Sequence, residues 1–419
     1  MTVFIEEPTA FLPQTPAEST AGTGRERRRE RVPLPRRRAD LRCRGLGAAF
    51  FAALTATFIL SSGSLSAQDR PSAIIPEDAT SLAVSHSNRI AFSVPHLKHV
   101  KKVLIERDDI DIADFGGHQK KIVEPDRFMP TPPPVSYIVN ALTWSPDGRR
   151  IAATMTTIPA PGAEKESDDR DKDDNRDDND EVARKLSVPP NGTRVVALLD
   201  DDGHEIRVTG SKDRFIEQAS NGAWLADDQT AVYLLGAGPY KIARVRPSDG
   251  QTKTLFEGHS FDSVVWDTPR NQAFAVGSSL SLSGRTALVQ LDLMNEGVRE
   301  VARLPNFLGQ LTVSPSGKKL GYFVDGDTIE VRDVDNPAVP VRVRTGPGKF
   351  AFSSDDRRIL LKRGPVDKSG DLVWVGLGDD SWNPILHDLE FHNFELAPDG
   401  QAIVVMDPGK GVLKIYPLR

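Results

Sequence analysis

The residues whose types and spacing suggest chemistry are few. The most conspicuous are in the acidic run 164–181, EKESDDRDKDDNRDDNDE, where Asp171, Asp173 and Asn175 alternate as calcium ligands do. A helix–loop–helix calcium site also needs a glycine at the sixth loop position and a bidentate glutamate at the twelfth. Arg176 and Val182 stand there instead, and four basic residues interrupt the run. The run therefore reads as a solvated, disordered surface loop, with calcium binding as the alternative.

The eight histidines offer two close pairs, His96 with His99 and His387 with His392. Neither pair sits in a metal-binding phrase. Gly277-Ser278-Ser279-Leu280-Ser281 lacks the second glycine of a nucleophile elbow. There is no phosphate loop and no dinucleotide fingerprint, and Gly258-His259-Ser260 reads as a structural turn. The lone cysteine, Cys43, lies before an apolar run near the start, so disulfides and thiolate chemistry are excluded downstream of that run. No catalytic, cofactor-binding or metal residues are assigned, and no binding residue is named.

What remains is organisation. Residues 1–67 hold ten Arg and six acidic residues; the rest carries 43 basic and 53 acidic residues, a net charge of −10. An acidic chain repels a phosphate backbone, so nucleic acid is not an expected partner. The apolar run 46–60, LGAAFFAALTATFIL, follows a basic stretch and precedes SSGSLSA and Gln68. That is the anatomy of a secretory signal, cut after Ala67 or Ser66. The run is short for a membrane span, and an uncleaved anchor is the alternative. The mature chain is expected outside the cytoplasm, periplasmic or extracellular, as a monomer without stable membrane insertion.

The 68–419 region repeats itself. Trp144-Ser145-Pro146-Asp147-Gly148 leads into Arg150-Ile151-Ala152: a strand end, a Pro-Asp-Gly turn with glycine at positive φ, and a new strand. Copies begin at Val84, Trp224, Trp266, Val313, Phe352 and Leu396, making seven. The last four intervals, 42, 47, 39 and 44 residues, match the period of a four-stranded propeller blade. The wider gaps earlier hold a Pro-rich stretch, 125–134, and an insertion, placed at 156–191. Each copy carries a second hairpin, as in 110–117, 195–203, 242–250, 287–293 and 329–334.

W-S-P-D-G followed by a strand, then a strand ending near D-x-x-G-G, resembles the TolB-like branch of WD-repeat propellers over about residues 70–419. The resemblance implies an all-β, seven-bladed β-propeller. The last copy supplies about three strands, 393–396, 402–406 and 412–416, so residues 72–76 are expected to add the outer strand and close the ring, with Ile74 and Ile75 buried. Trp144, Trp224 and Trp266 are expected at equivalent inner positions, packing blade on blade. The expected function is a non-catalytic binding or scaffold module of the cell envelope, taking a protein or a small ligand. The alternative is a propeller enzyme (lyase, lactonase or glycoside-active) with polar groups converging at the channel mouth.

Overall fold

The computed structural model describes residues 70–100, 103–123, 135–159, 193–211, 215–235, 240–259, 261, 263–277, 286–304, 306–346, 348–364, 369–379, 381–391, 393–407 and 409–418. The apolar run 46–60 read as an export signal, the acidic run, the Pro-rich stretch, His392 and Ser278 to Ser281 lie outside them.

The described residues form an all-β propeller of antiparallel hairpins in chain order. Strand β1 (Ala73–Ile75) stands first. One sheet then takes eight strands: β2 (Ser81–Val84), β3 (Arg89–Val100), β4 (Val103–Asp114), β5 (Gln119–Val123), β6 (Val135–Trp144), β7 (Arg150–Pro159), β8 (Thr193–Asp200) and β9 (Ile216–Glu217). Three four-stranded sheets follow. They are β10 (Ala219–Trp224), β11 (Ala231–Leu235), β12 (Tyr240–Arg246) and β13 (Gln251–His259); β14 (Ser263–Asp267), β15 (Gln272–Gly277), β16 (Ala287–Asp292) and β17 (Val298–Arg303); and β18 (Thr312–Val313), β19 (Lys319–Phe323), β20 (Thr328–Asp333) and β21 (Val341–Arg344). A further sheet holds β22 (Phe350–Phe352), β23 (Arg358–Arg363), β24 (Gly370–Gly376) and β25 (Trp382–Leu389). The last sheet joins β26 (Asn393–Leu396), β27 (Ala402–Asp407) and β28 (Val412–Pro417) to β1.

Five separate four-stranded blades thus stand beside one eight-stranded sheet, where the repeat count predicts seven separate blades. The difference has a local cause. Strands β3 and β4 are twelve residues long, β6 and β7 ten, and β4 meets β6 through one parallel bridge, Arg107 to Tyr137. That bridge joins what the repeats present as two units. Strand β7 also runs to Pro159, four residues into the expected 156–191 insertion, because Thr156 to Pro159 pair with residues 135–138 of β6.

Strand β1 pairs antiparallel with β28, Ala73 facing Ile415 and Ile75 facing Leu413. The expectation for its side chains holds only for one: Ile75 is fully buried, whereas Ile74 is 54% exposed. Alternation puts successive residues of a strand on opposite faces, and the outer strand of a sheet has a neighbour on one face only.

Six of the seven signature turns place a positive-φ residue four positions after the first signature residue. These are Asn88, Gly148, Asp228, Gly317, Asp356 and Gly400, with φ between 52° and 73°. In the Trp266 turn a 3-10 turn, Thr268–Arg270, moves it one later, to Asn271. Where glycine is missing, Asn or Asp fills the left-handed position, the residues that tolerate it best. Four of these turns are also fastened by a serine. Ser85, Ser145, Ser314 and Ser353 each accept, on Oγ, the backbone N–H of the strand that follows, at 2.9–3.1 Å.

The core consists of apolar clusters, one within the eight-stranded sheet and the others between sheets. One packs Ile75, Phe92, Val404 and Leu413, bringing the N-terminal strands against the last sheet. Another packs Val265, Phe274, Leu288, Leu320 and Tyr322 between the sheets of β14 and β18.

Candidate functional site

The inner strands end in the signature turns, and those ends surround a cavity of about 170 Å³. Its wall is mainly apolar. Leu82 and Val84 come from β2, Leu142 from β6, Val313 from β18, Phe352 from β22 and Leu396 from β26. Prolines 146, 269, 315 and 398 of four turns add rigid apolar rim.

Its polar groups are mostly engaged by their own surroundings. The Asp267 carboxylate accepts from Arg270 Nη1 at 2.7 Å and from Gln272 Nε2 at 2.6 Å. Glu395 is ion-paired with Lys349, whose ammonium also donates to Asn393 Oδ1 at 3.1 Å and lies 5.7 Å from the Phe394 ring centroid. Burial pushes the His86 imidazole below its usual pKa, which favours the neutral ring. Thr312 differs: its buried Oγ1 has no hydrogen-bond partner among the described residues. A buried hydroxyl left in that state carries a desolvation cost.

The walls are held by bonds across neighbouring inner strands. Trp144 Nε1 donates to the Ala83 carbonyl at 3.2 Å. Trp266 Nε1 donates to Asn221 Oδ1 at 2.7 Å, and Asn221 Nδ2 donates to the Val264 carbonyl at 3.1 Å. Asn221 sits at φ 56° in a bulge between Ser220 and Gly222. A Cβ on Gly222 would stand 2.7 Å from Val196 Cγ1, so that position requires glycine. The three tryptophans occupy equivalent places, facing Ile151, Ala231 and Ala273, each seven residues on.

Sequence reasoning passed over a second group. In β4, Asp108, Asp109 and Asp111 are all buried. Asp108 Oδ2 accepts the Val139 N–H at 2.7 Å, and Oδ1 has no hydrogen-bond partner among the described residues. Asp109 is ion-paired with Lys121 and lies 2.9 Å from His96 Nε2. Burial pushes Asp108 and Asp111 up to about 6. Strand alternation sets Asp108 on the face opposite Asp109 and Asp111, so the two raised carboxyls do not form an acid–base pair. The signal was legible as R-D-D-I-D-I inside a β-run, where charges are unexpected.

The histidine pairs do not converge on a metal. His96 is engaged by Asp109, His99 is exposed, and His387 lies 3.5 Å from Asp371. Among the described residues, no group of three His, Cys, Asp or Glu is arranged to hold a metal ion. No described helix is long and apolar enough to cross a membrane.

No family model and no curated protein sequence matches the chain. Among solved structures, a chain of the crystal structure of the mitotic checkpoint complex superposes with a TM-score of 0.53 at 13% identity, over 84% of this chain and 95% of that one. The Cps50 (Swd1) β-propeller domain of Myceliophteria thermophila gives 0.49 at 12% identity, over 82% and 98%. TolB from Acinetobacter baumannii gives 0.36 at 14% identity, over 68% and 80%. The class defined is that of β-propellers.

Proposed function

We propose that this chain is an exported, non-catalytic binding or scaffold module that engages a protein or small ligand at the channel mouth. One observation carries the reading: an apolar cavity rimmed by rigid turns, whose carboxylates Asp267 and Glu395 are already paired. Paired carboxylates contribute shape and a fixed field rather than free acid–base groups. The basic and apolar segment before residue 68 supports export to the periplasm or beyond.

We also read the eight-stranded sheet as two blades joined at one bridge, giving seven, with β1 closing the ring through β28. The seven signature turns and the β1–β28 register support that count.

The test is capture from envelope extracts with the purified full chain, beside a Thr312→Val and a Leu142→Arg variant. The reading expects a partner retained by the parent chain and lost with Leu142→Arg, which puts charge into the cavity wall. A partner held equally by both would place binding elsewhere.

A further inference from the structure

Between the outer strand β21 and the start of β25 lies a second groove, of about 600 Å³, lined by Val324, Asp325, Thr328, Arg342, Arg344 and Trp382. It shares no residue with the channel-mouth cavity.

Its hydrogen-bonding capacity is one-sided. Arg342 and Arg344 alternate along β21 opposite Glu330 and Thr328, which puts both side chains on one face of the strand. The Arg344 side chain is exposed and makes no hydrogen bond or ion pair with any described residue. Arg342 gives only its Nε, to Glu330 Oε2 at 3.1 Å, and its side chain is 68% exposed. Glu330 asks for nothing more. Burial alone would raise its pKa, but Tyr322 Oη at 2.5 Å and Arg332 Nη2 at 2.5 Å donate to it and hold it below the usual range. The acid on the rim, Asp325, is turned to its own loop, where hydrogen bonding from Thr328 and the Asp327 N–H keeps it ionised. Two guanidinium forks thus face the groove with their Nη donors unused. Trp382 supplies an indole beside them, half-buried and stacked 5.6 Å from the Arg363 guanidinium.

Unused guanidinium forks select a planar or tetrahedral oxyanion, and an indole wall selects a flat apolar body. We propose that this groove binds a small aromatic anion, its carboxylate or phosphate held by Arg342 and Arg344 and its ring laid against Trp382. The volume is that of a small-molecule site.

Calorimetric titration of the full chain at low ionic strength tests this, with phenyl phosphate, phenylacetate and inorganic phosphate as probes. The two aryl probes distinguish phosphate from carboxylate recognition. The expected result is saturable, one-to-one binding of at least one aryl anion. Arg344→Gln should weaken it about ten-fold or more, since hydrogen bonds to charged groups are the strong ones. Arg149→Gln, an exposed arginine in the Trp144 turn, should leave it unchanged. Trp382→Leu should weaken the aryl probes and spare inorganic phosphate. Unaltered melting of Arg344→Gln, exposed on an outer strand, assures that a loss reflects the site. Absence of saturable binding to the parent chain, or equal affinity in Arg344→Gln, overturns the proposal. Inorganic phosphate binding as tightly as the aryl anions overturns the part assigned to Trp382.

Discussion

The guanidinium of Arg150 lies 4.9 Å from the centroid of the Trp224 indole, joining the first residue of β7 to the last of β10 across a sheet boundary. A like contact recurs one repeat earlier, within the eight-stranded sheet, where Arg89 of β3 stands 5.2 Å from Trp144 at the end of β6. In each pair the arginine opens the strand after a signature turn and covers the tryptophan of the next copy. Arg150 also donates to the Asp228 carbonyl in that copy's turn. The third tryptophan, Trp266, is fastened by Asn221 instead.

These differences separate the three tryptophans in mutation. Trp224 Nε1 has no partner among the described residues, whereas Trp266 Nε1 satisfies the buried Asn221. Trp224→Phe removes ring area alone; Trp266→Phe also orphans an amide oxygen. Trp266→Phe is expected to be the more destabilising by about 1–2 kcal/mol, the cost of an unsatisfied buried acceptor. Urea unfolding of both variants checks this, and equal losses would refute it.

The seven turns were legible because a turn's chemistry is local: Pro, Asp and Gly report their own φ, and Asn88, Asp228 and Asp356 hold the same position by the same rule. The joining of the first two repeats into one sheet was not legible. It depends on how far β3, β4, β6 and β7 run past the repeat, and the bridge from Arg107 to Tyr137 is a tertiary contact that no spacing records. The candidate sites are harder still. Thr312, Phe352 and Leu142 come from three separate repeats, and Arg344 and Trp382 from two. Each residue alone reads as ordinary strand, and only the packing of separate sheets brings them together.

Gly148 tests the turn rule. Its φ is +73°, and an added Cβ would stand 2.6 Å from Ser87 Oγ. Gly148→Ala therefore meets both backbone strain and a clash with the preceding repeat's turn, and should cost about 1–3 kcal/mol. Asn88→Gly, at φ 59°, should be neutral or slightly stabilising, because glycine relieves the strain that asparagine tolerates. Thermal melts of the two variants should move in opposite directions or leave Asn88→Gly unmoved. A larger loss at Asn88 would contradict the rule.

Removal of β1 tests ring closure. Ser72 donates its N–H to the Ile415 carbonyl at 2.7 Å, and Ile75 is buried beside Leu413 and Ile415. A chain beginning at Glu77 loses that ladder and the burial of Ile75, and exposes the edge of β28. Hydrogen bonds worth about 0.5–1.5 kcal/mol each, with about 2–3 kcal/mol for one buried isoleucine, sum to several kcal/mol. The shortened chain should melt clearly lower and aggregate sooner than one beginning at Gln68. Equal melting and solubility would assign closure to another contact.

The pH dependence of stability should carry the mark of Asp108. Its carboxyl sits near 3.8 in an unfolded chain and about 6 when folded, because burial disfavours the charge. Between those values the folded chain holds a proton that the unfolded chain has released. Raising the pH through that window therefore removes stability, and above it the loss is complete and constant. A shift of about two units corresponds to at most about 3 kcal/mol. Below it the carboxyl is protonated in both states, and an amide is nearly its equal in shape and charge. Asp108→Asn also keeps an oxygen to accept the Val139 N–H. The variant should thus melt close to the parent chain at about pH 4 and above it, by several degrees, at about pH 8. A difference in melting temperature that is the same at both values would show that Asp108 does not titrate in this window.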